Sequence, residues 1–74
     1  MQLSKEKRKL IRQQVYYIKK FGIDSHLEKI NETRSHYLNH LLGIINFALF
    51  INPKDEEMKE YFEVIKSLLL KQNQ

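Results

Sequence analysis

Residues 40–53 read HLLGIINFALFINP, the most apolar stretch of the chain, with a glycine in its interior and an Asn-Pro stop at its end. The apolar run from 41 to 51 covers eleven positions, broken by Gly43 and Asn46, whereas a membrane span needs about 20. It predicts a buried amphipathic helix. Successive helical residues turn by about 100°, which gathers Leu38, Leu41, Leu42, Ile45, Ala48 and Leu49 on one side. His36, Asn39, His40, Gly43, Asn46, Phe47 and Phe50 fall on the other. This helix is expected from Thr33 or Arg34 to Ile51.

An interior glycine costs about 1 kcal/mol relative to alanine, so Gly43 needs a reason. Either it lets two helices pack closely, or it lets another backbone approach a face outside the core. Its place on the His/Asn side favours the second. A small, uncharged, hydrogen-bonding strip of His36, Asn39, Gly43 and Asn46 suits the sugar edges of a minor groove. Phe47 and Phe50 beside it point to a partner surface, which leaves a non-catalytic protein-interaction module docking through these two rings as the alternative reading.

Downstream, Asn52 is a suitable N-cap, Pro53 fits a first helical position, and Asp55, Glu56 and Glu57 lie where the helix dipole favours negative charge. A helix over about 53–71 is expected. Met58, Tyr61, Phe62, Ile65, Leu68 and Leu69 form its apolar stripe, with Glu56, Glu60, Glu63 and Ser67 opposite. Upstream, Ser4 and Gly22 bracket a helix over about 4–21. One side of it carries Leu10, Ile11, Gln14, Ile18 and Phe21; the other carries Lys5, Arg8, Lys9, Arg12, Tyr16, Lys19 and Lys20. Residues 22–33, GIDSHLEKINET, read as a connection with a few apolar anchors, Ile23, Leu27 and Ile30, and room for one helical turn.

A chain of 74 residues is a single domain that buries only about 60 to 65% of the surface its unfolded form exposes. Two glycines and one proline leave little material for sheet turns. The expected fold is all-α, a small three-helix bundle spanning 1–74. The lack of cysteine excludes disulfides and thiolate metal sites, and the polar N-terminus does not resemble a signal peptide. A cytoplasmic location and no membrane partner are therefore expected.

Residues 5–20 hold seven Lys or Arg against one Glu, a net +6, while the remainder carries six basic and eight acidic side chains, a net −2. Basic side chains one turn apart track phosphates, and Tyr16 offers a ring for stacking. The pattern alone also fits a solvated surface or an acidic protein or membrane surface. His36 and His40 are one turn apart, with Glu32 one turn earlier, but no fourth ligand accompanies them, so no metal site is expected. No glycine-rich phosphate loop is present, nor a serine with histidine and acid partners. The isolated chain is not expected to be an enzyme.

Two segments together, KRKLIRQQVYYIKKFGI and YLNHLLGIINFALFINP, resemble the C-terminal thumb of retron-type bacterial reverse transcriptases, relatives of the group II intron enzymes. The family pattern is a basic helix ending Lys-Lys-x-Gly, then Tyr-Leu-x-His-Leu-Arg-Gly-Lys-Ile-Asn-Phe, then Asn-Pro. Lys19, Lys20 and Gly22 match the first part; Tyr37, Leu38, His40, Leu41, Gly43, Ile45, Asn46 and Phe47 the second; Asn52 and Pro53 the third. The basic residues flanking the family's glycine are Leu42 and Ile44 here, so charge would come from the first helix and Arg34 instead. The resemblance implies an excised or separate thumb that grips a template-primer duplex or structured RNA and packs on the fingers and palm of its parent polymerase. The catalytic aspartates and the Mg2+ they hold would belong to that parent; no cofactor is expected in this chain. The residues expected to contact nucleic acid are Lys5, Arg8, Lys9, Arg12, Tyr16, Lys19, Lys20, Arg34, His36, Asn39, Gly43 and Asn46.

Overall fold

A computed structural model describes residues 3–71, which form four α-helices and, among those residues, no strand: α1 (Lys5–Phe21), α2 (Ile23–Ile30), α3 (Arg34–Ile51) and α4 (Glu56–Lys71). The fold is all-α as expected, with one helix more than the expected three. The extra helix is α2, inside the 22–33 segment. Its three anchors, Ile23, Leu27 and Ile30, stand at i, i+4 and i+7, the spacing that places them along one face.

Gly22 makes that short helix possible. Its φ of 88° and ψ of 154° lie in a region that is essentially closed to residues with a Cβ. Its N–H donates to the Ile18 carbonyl (2.9 Å), closing α1, while its own carbonyl accepts from the His26 N–H (3.2 Å), opening α2. Asn31, left-handed at φ 56°, ends α2. Asn tolerates this conformation better than most residues with a side chain.

Helix α4 starts at Glu56, three residues later than expected. Asn52 caps the C-terminus of α3, its N–H donating to the Ala48 carbonyl (2.9 Å), and Pro53 lies in the turn that follows. The N-terminal cap of α4 is Asp55, whose Oδ1 accepts from the Met58 N–H (3.2 Å). Asn52 has a local task instead, accepting the Lys54 N–H on its Oδ1. The short 52–55 connection folds α3 and α4 into a hairpin, and α1 packs against both.

The core is built from Ile11, Val15 and Ile18 of α1, Leu27 of α2, Tyr37, Leu38, Leu41, Ile45 and Ala48 of α3, and Met58 and Ile65 of α4, with Leu3 closing one end. The apolar stripes expected on α3 and α4 are all buried or half-buried. On α1 the stripe is rotated: Val15 is buried where Leu10 and Phe21, expected inside, are 41% and 44% exposed. No described helix is long and apolar enough to cross a membrane.

Candidate nucleic-acid interface

The twelve residues expected to contact nucleic acid divide into three groups in the folded chain. Arg8, Arg12 and Arg34 are engaged by other parts of the protein. Arg8 forms a two-point pair with Asp55 (Nη2–Oδ2 2.5 Å, Nη1–Oδ1 3.3 Å) and reaches Glu57 Oε1 at 2.8 Å. Arg12 donates to both oxygens of Glu57, from Nε at 2.7 Å and Nη2 at 3.0 Å. Tyr61 adds a third donor to Glu57 at 2.8 Å. These donors, led by Arg12, hold the Glu57 carboxyl down from its ordinary 4.5 to about 2, and Arg8 lowers Asp55 in the same direction. The Arg8 and Arg12 guanidinium groups are raised in turn.

Arg34, in the first turn of α3, donates to the Leu68 carbonyl in the last turn of α4 (3.1 Å), with a longer contact to the exposed Asp24 (3.4 Å). It thus satisfies a carbonyl left open at a helix end, where the dipole also favours a cation. These three arginines tie helices together, whereas the sequence reading places all three among the nucleic-acid contacts. The sequence signal for the ties of α1 is the Asp55–Glu57 acidic turn.

The second group is the outer surface of α1, where Lys5, Lys9, Tyr16 and Lys20 are exposed. Lys19 is also exposed and stands 3.6 Å from the equally exposed Glu60, a pairing of small consequence in water. Lys20 leans on Tyr16, donating to its hydroxyl at 3.2 Å.

The third group lies on α3. His36, Asn39, His40, Gly43, Asn46, Phe47 and Phe50 are all exposed and form one continuous stripe. Asn39 is held by its own helix, its amide donating to the Ser35 carbonyl at 2.8 Å. At Gly43 an added Cβ would meet nothing within 4 Å. Close packing among the described residues is therefore not what places a glycine there. Gly43→Ala is expected to raise stability by about 0.5 to 1 kcal/mol, read as an upward shift of the urea midpoint; a loss of stability would show a hidden packing role.

One cation that sequence reasoning passed over stands beside this stripe. The Lys7 ammonium lies 6.0 Å from the centre of the Phe47 ring. Lys7 is two positions from both Lys5 and Lys9, which turns it about 160° away from each on the helix and toward α3. That angular offset is legible in the sequence once α3 is known to flank α1.

A buried polar cluster, also missed, fixes how α1, α2 and α3 meet. His26 Nε2 lies 2.7 Å from Gln14 Oε1 and 2.8 Å from the Tyr37 hydroxyl, which also donates to Gln14. Burial lowers the His26 pKa, with Lys29 adding to the effect, and burial raises that of the Tyr37 phenol. Both groups are neutral in the fold at pH 7, as buried hydrogen-bonded groups favour. Gln14 lies on the apolar side of α1, and an amide half-buried there needs partners for its polar atoms. Compared with protein-family models, curated proteins and solved structures, the chain shows no match.

Proposed function

We infer that this chain is a non-catalytic helical module that grips an RNA or RNA–DNA duplex, as the thumb of a retron-type RNA-directed DNA polymerase would. The observation that carries this reading is the exposed α3 stripe centred on Gly43, where a glycine sits with open space above it and no internal cause. His36, Asn39 and Asn46 supply short hydrogen-bonding groups along that stripe. Such groups suit the shallow minor groove of an A-like duplex, where 2′-hydroxyls and sugar edges are presented and shape outweighs base identity. Lys7, on the flank of the stripe, is within reach of a phosphate, and the outer lysines of α1 add long-range attraction. The resemblance to retron-type thumbs covers the same stripe.

The test is titration of an RNA–DNA hybrid at several salt concentrations. Gly43→Leu is expected to keep the melting temperature within a few degrees and to weaken binding about tenfold. Lys7→Gln is expected to reduce the slope of log affinity against log salt by about 1. Wild-type affinity in Gly43→Leu would remove the α3 stripe from the interface.

A second reading is favoured by Phe50, which is 83% exposed at the end of the same stripe, with Phe47 at 50%. Here the two rings dock on another polypeptide, which for a thumb means the fingers and palm of its polymerase. An association that resists nuclease and is abolished by Phe50→Ser, with hybrid affinity unchanged, would favour this reading.

A further inference from the structure

Where α1 turns into α2, Tyr17, Phe21, His26, Lys29 and Ile30 line a cavity of about 350 Å³ open to solvent. That is the low end of the range of about 300 to 1,000 Å³ found for small-ligand sites. Its rim is aromatic. The Tyr17 and Phe21 rings stack with centres 6.3 Å apart and planes 28° apart, and His26 lies 5.7 Å from Tyr17. Tyr17, Phe21 and Ile30 are 37%, 44% and 39% exposed, so three large apolar side chains converge at one corner of a small protein without covering one another. His26 is buried, its Nε2 committed to Gln14 and Tyr37, and this anchors that wall of the cavity.

Two ammonium groups close on the same ring. Lys29 Nζ is 4.8 Å and Lys20 Nζ is 5.4 Å from the centre of Phe21. The two charges are thus no more than about 10 Å apart, one Debye length at 0.1 M salt. No carboxylate is among the residues lining the cavity. Favourable dipoles at the ends of α1 and α2 account for the presence of lysines in both last turns, Lys19 and Lys20 in α1 and Lys29 in α2. Lys20 is also placed by its hydrogen bond to the Tyr16 hydroxyl (3.2 Å), just outside the cavity lining, so the feature that matters is that both ammonium groups come within reach of one exposed ring. A pair of like charges on an aromatic rim is complementary to a ligand that is flat and apolar at one end and anionic at the other.

We propose that this corner binds an unpaired nucleotide, with its base stacked against Phe21 and Tyr17 and its phosphate received by Lys20 and Lys29. Bases in single strands are held in this way, by a ring to stack on and a cation for the backbone, with little dependence on base identity. The site is separate from the α3 stripe and does not rest on the duplex-gripping reading, since either surface can fail its test without the other.

The experiment is a nuclear magnetic resonance titration of the full chain with pentaadenylate, with ribose 5-phosphate as the probe that carries phosphate but no base. Saturable shifts centred on Tyr17, Phe21, Lys29 and Ile30 are expected with pentaadenylate and not with ribose 5-phosphate. Phe21→Leu, which keeps an apolar side chain and removes the ring, is expected to weaken binding roughly tenfold, within what one base-aromatic stack contributes. Lys20→Gln with Lys29→Gln is expected to weaken it several-fold and to flatten its salt dependence. Glu63→Ala, on the exposed side of α4 and outside both surfaces, is expected to bind pentaadenylate as the wild type does. Equal shifts from ribose 5-phosphate, wild-type affinity in Phe21→Leu, or shifts confined to α3 would each overturn the proposal.

Discussion

Asp55→Ala is expected to lower the stability of the fold by about 2 to 3 kcal/mol at neutral pH, measured by urea unfolding. Two separate losses combine. The Asp55 side chain, only 8% exposed, caps α4 through the Met58 N–H, and loss of such a cap costs about 1 kcal/mol. The same carboxylate receives the two-point hydrogen bond of Arg8. Arg8 keeps its contact with Glu57, so its charge is not stranded, and the second loss is held to about 1.5 to 3 kcal/mol or below, the range of a charged hydrogen bond. A chain of this size has roughly 4 to 11 kcal/mol in total, so the change is a large share.

Acid removes the same interactions in the wild type. Asp55 and Glu57 have folded-state pKa values below their unfolded ones, so the unfolded chain binds protons first as the pH falls. Their contribution is complete above about pH 4.5 and is lost progressively toward about pH 2. His26, also lowered, acts in the same direction at higher pH, its contribution fading as the pH falls below about 6.5. Stability is expected to decline from about pH 6.5 downward and more steeply below about 4.5, and Asp55→Ala is expected to show a shallower decline in the lower range. An identical slope below about pH 4.5 in wild type and variant would remove Asp55 from this account.

Leu38→Ala is expected to cost at least as much, about 3 kcal/mol. Leu38 is fully buried on α3, the helix that packs against all three others. Truncation removes its transfer free energy and leaves a void that neighbours held in four helices cannot readily fill. For a domain of about 60 to 100 residues each 1 kcal/mol shifts the melting temperature by about 4 to 8 °C, so a fall of roughly 12 to 24 °C is expected. Glu63→Ala, on the exposed side of α4, serves as the comparison and is expected to stay within about 0.5 kcal/mol. A similar small change in Leu38→Ala would mean that the core rearranges around the vacancy.

The periodicity of apolar residues was a sound guide to α3 and α4, because both stripes are wide and uninterrupted by charge. It was less sound for α1. Seventeen residues of that helix carry a basic surface on most sides, and the difference between Val15 and Leu10 as core residue depends on which neighbours stand beside it. The helix α2 was hidden by the polar residues between its three anchors, and its start depends on a backbone conformation of Gly22 that composition does not announce. At α4, Asn52 and Asp55 are both good caps with a proline between them; the acidic residue prevailed because Arg8, distant in sequence, also binds it. The same long-range pairing explains why the basic surface of α1 was only partly legible. Lysines and arginines look alike on a helical projection, yet the two arginines of α1 face the acidic turn of α4 while Lys5, Lys9 and Lys20 remain exposed. The exposure of the α3 stripe, whose members need no distant partner to be identified, follows directly from the helical projection.

Gly22 closes one helix and opens the next with no intervening loop, and this governs which changes of chain length the fold can absorb. One residue inserted directly before Gly22 would rotate the preceding helix by about 100° relative to α2, carrying Gln14 away from His26 and Phe21 away from Lys29. Between the described helices, lengthening is absorbed without that rotation at the turns around 31–33 and 52–55, where backbone already leaves the helical path. Homologous chains should therefore vary in length at those two places and keep a fixed count of residues between Ile11 and Leu27.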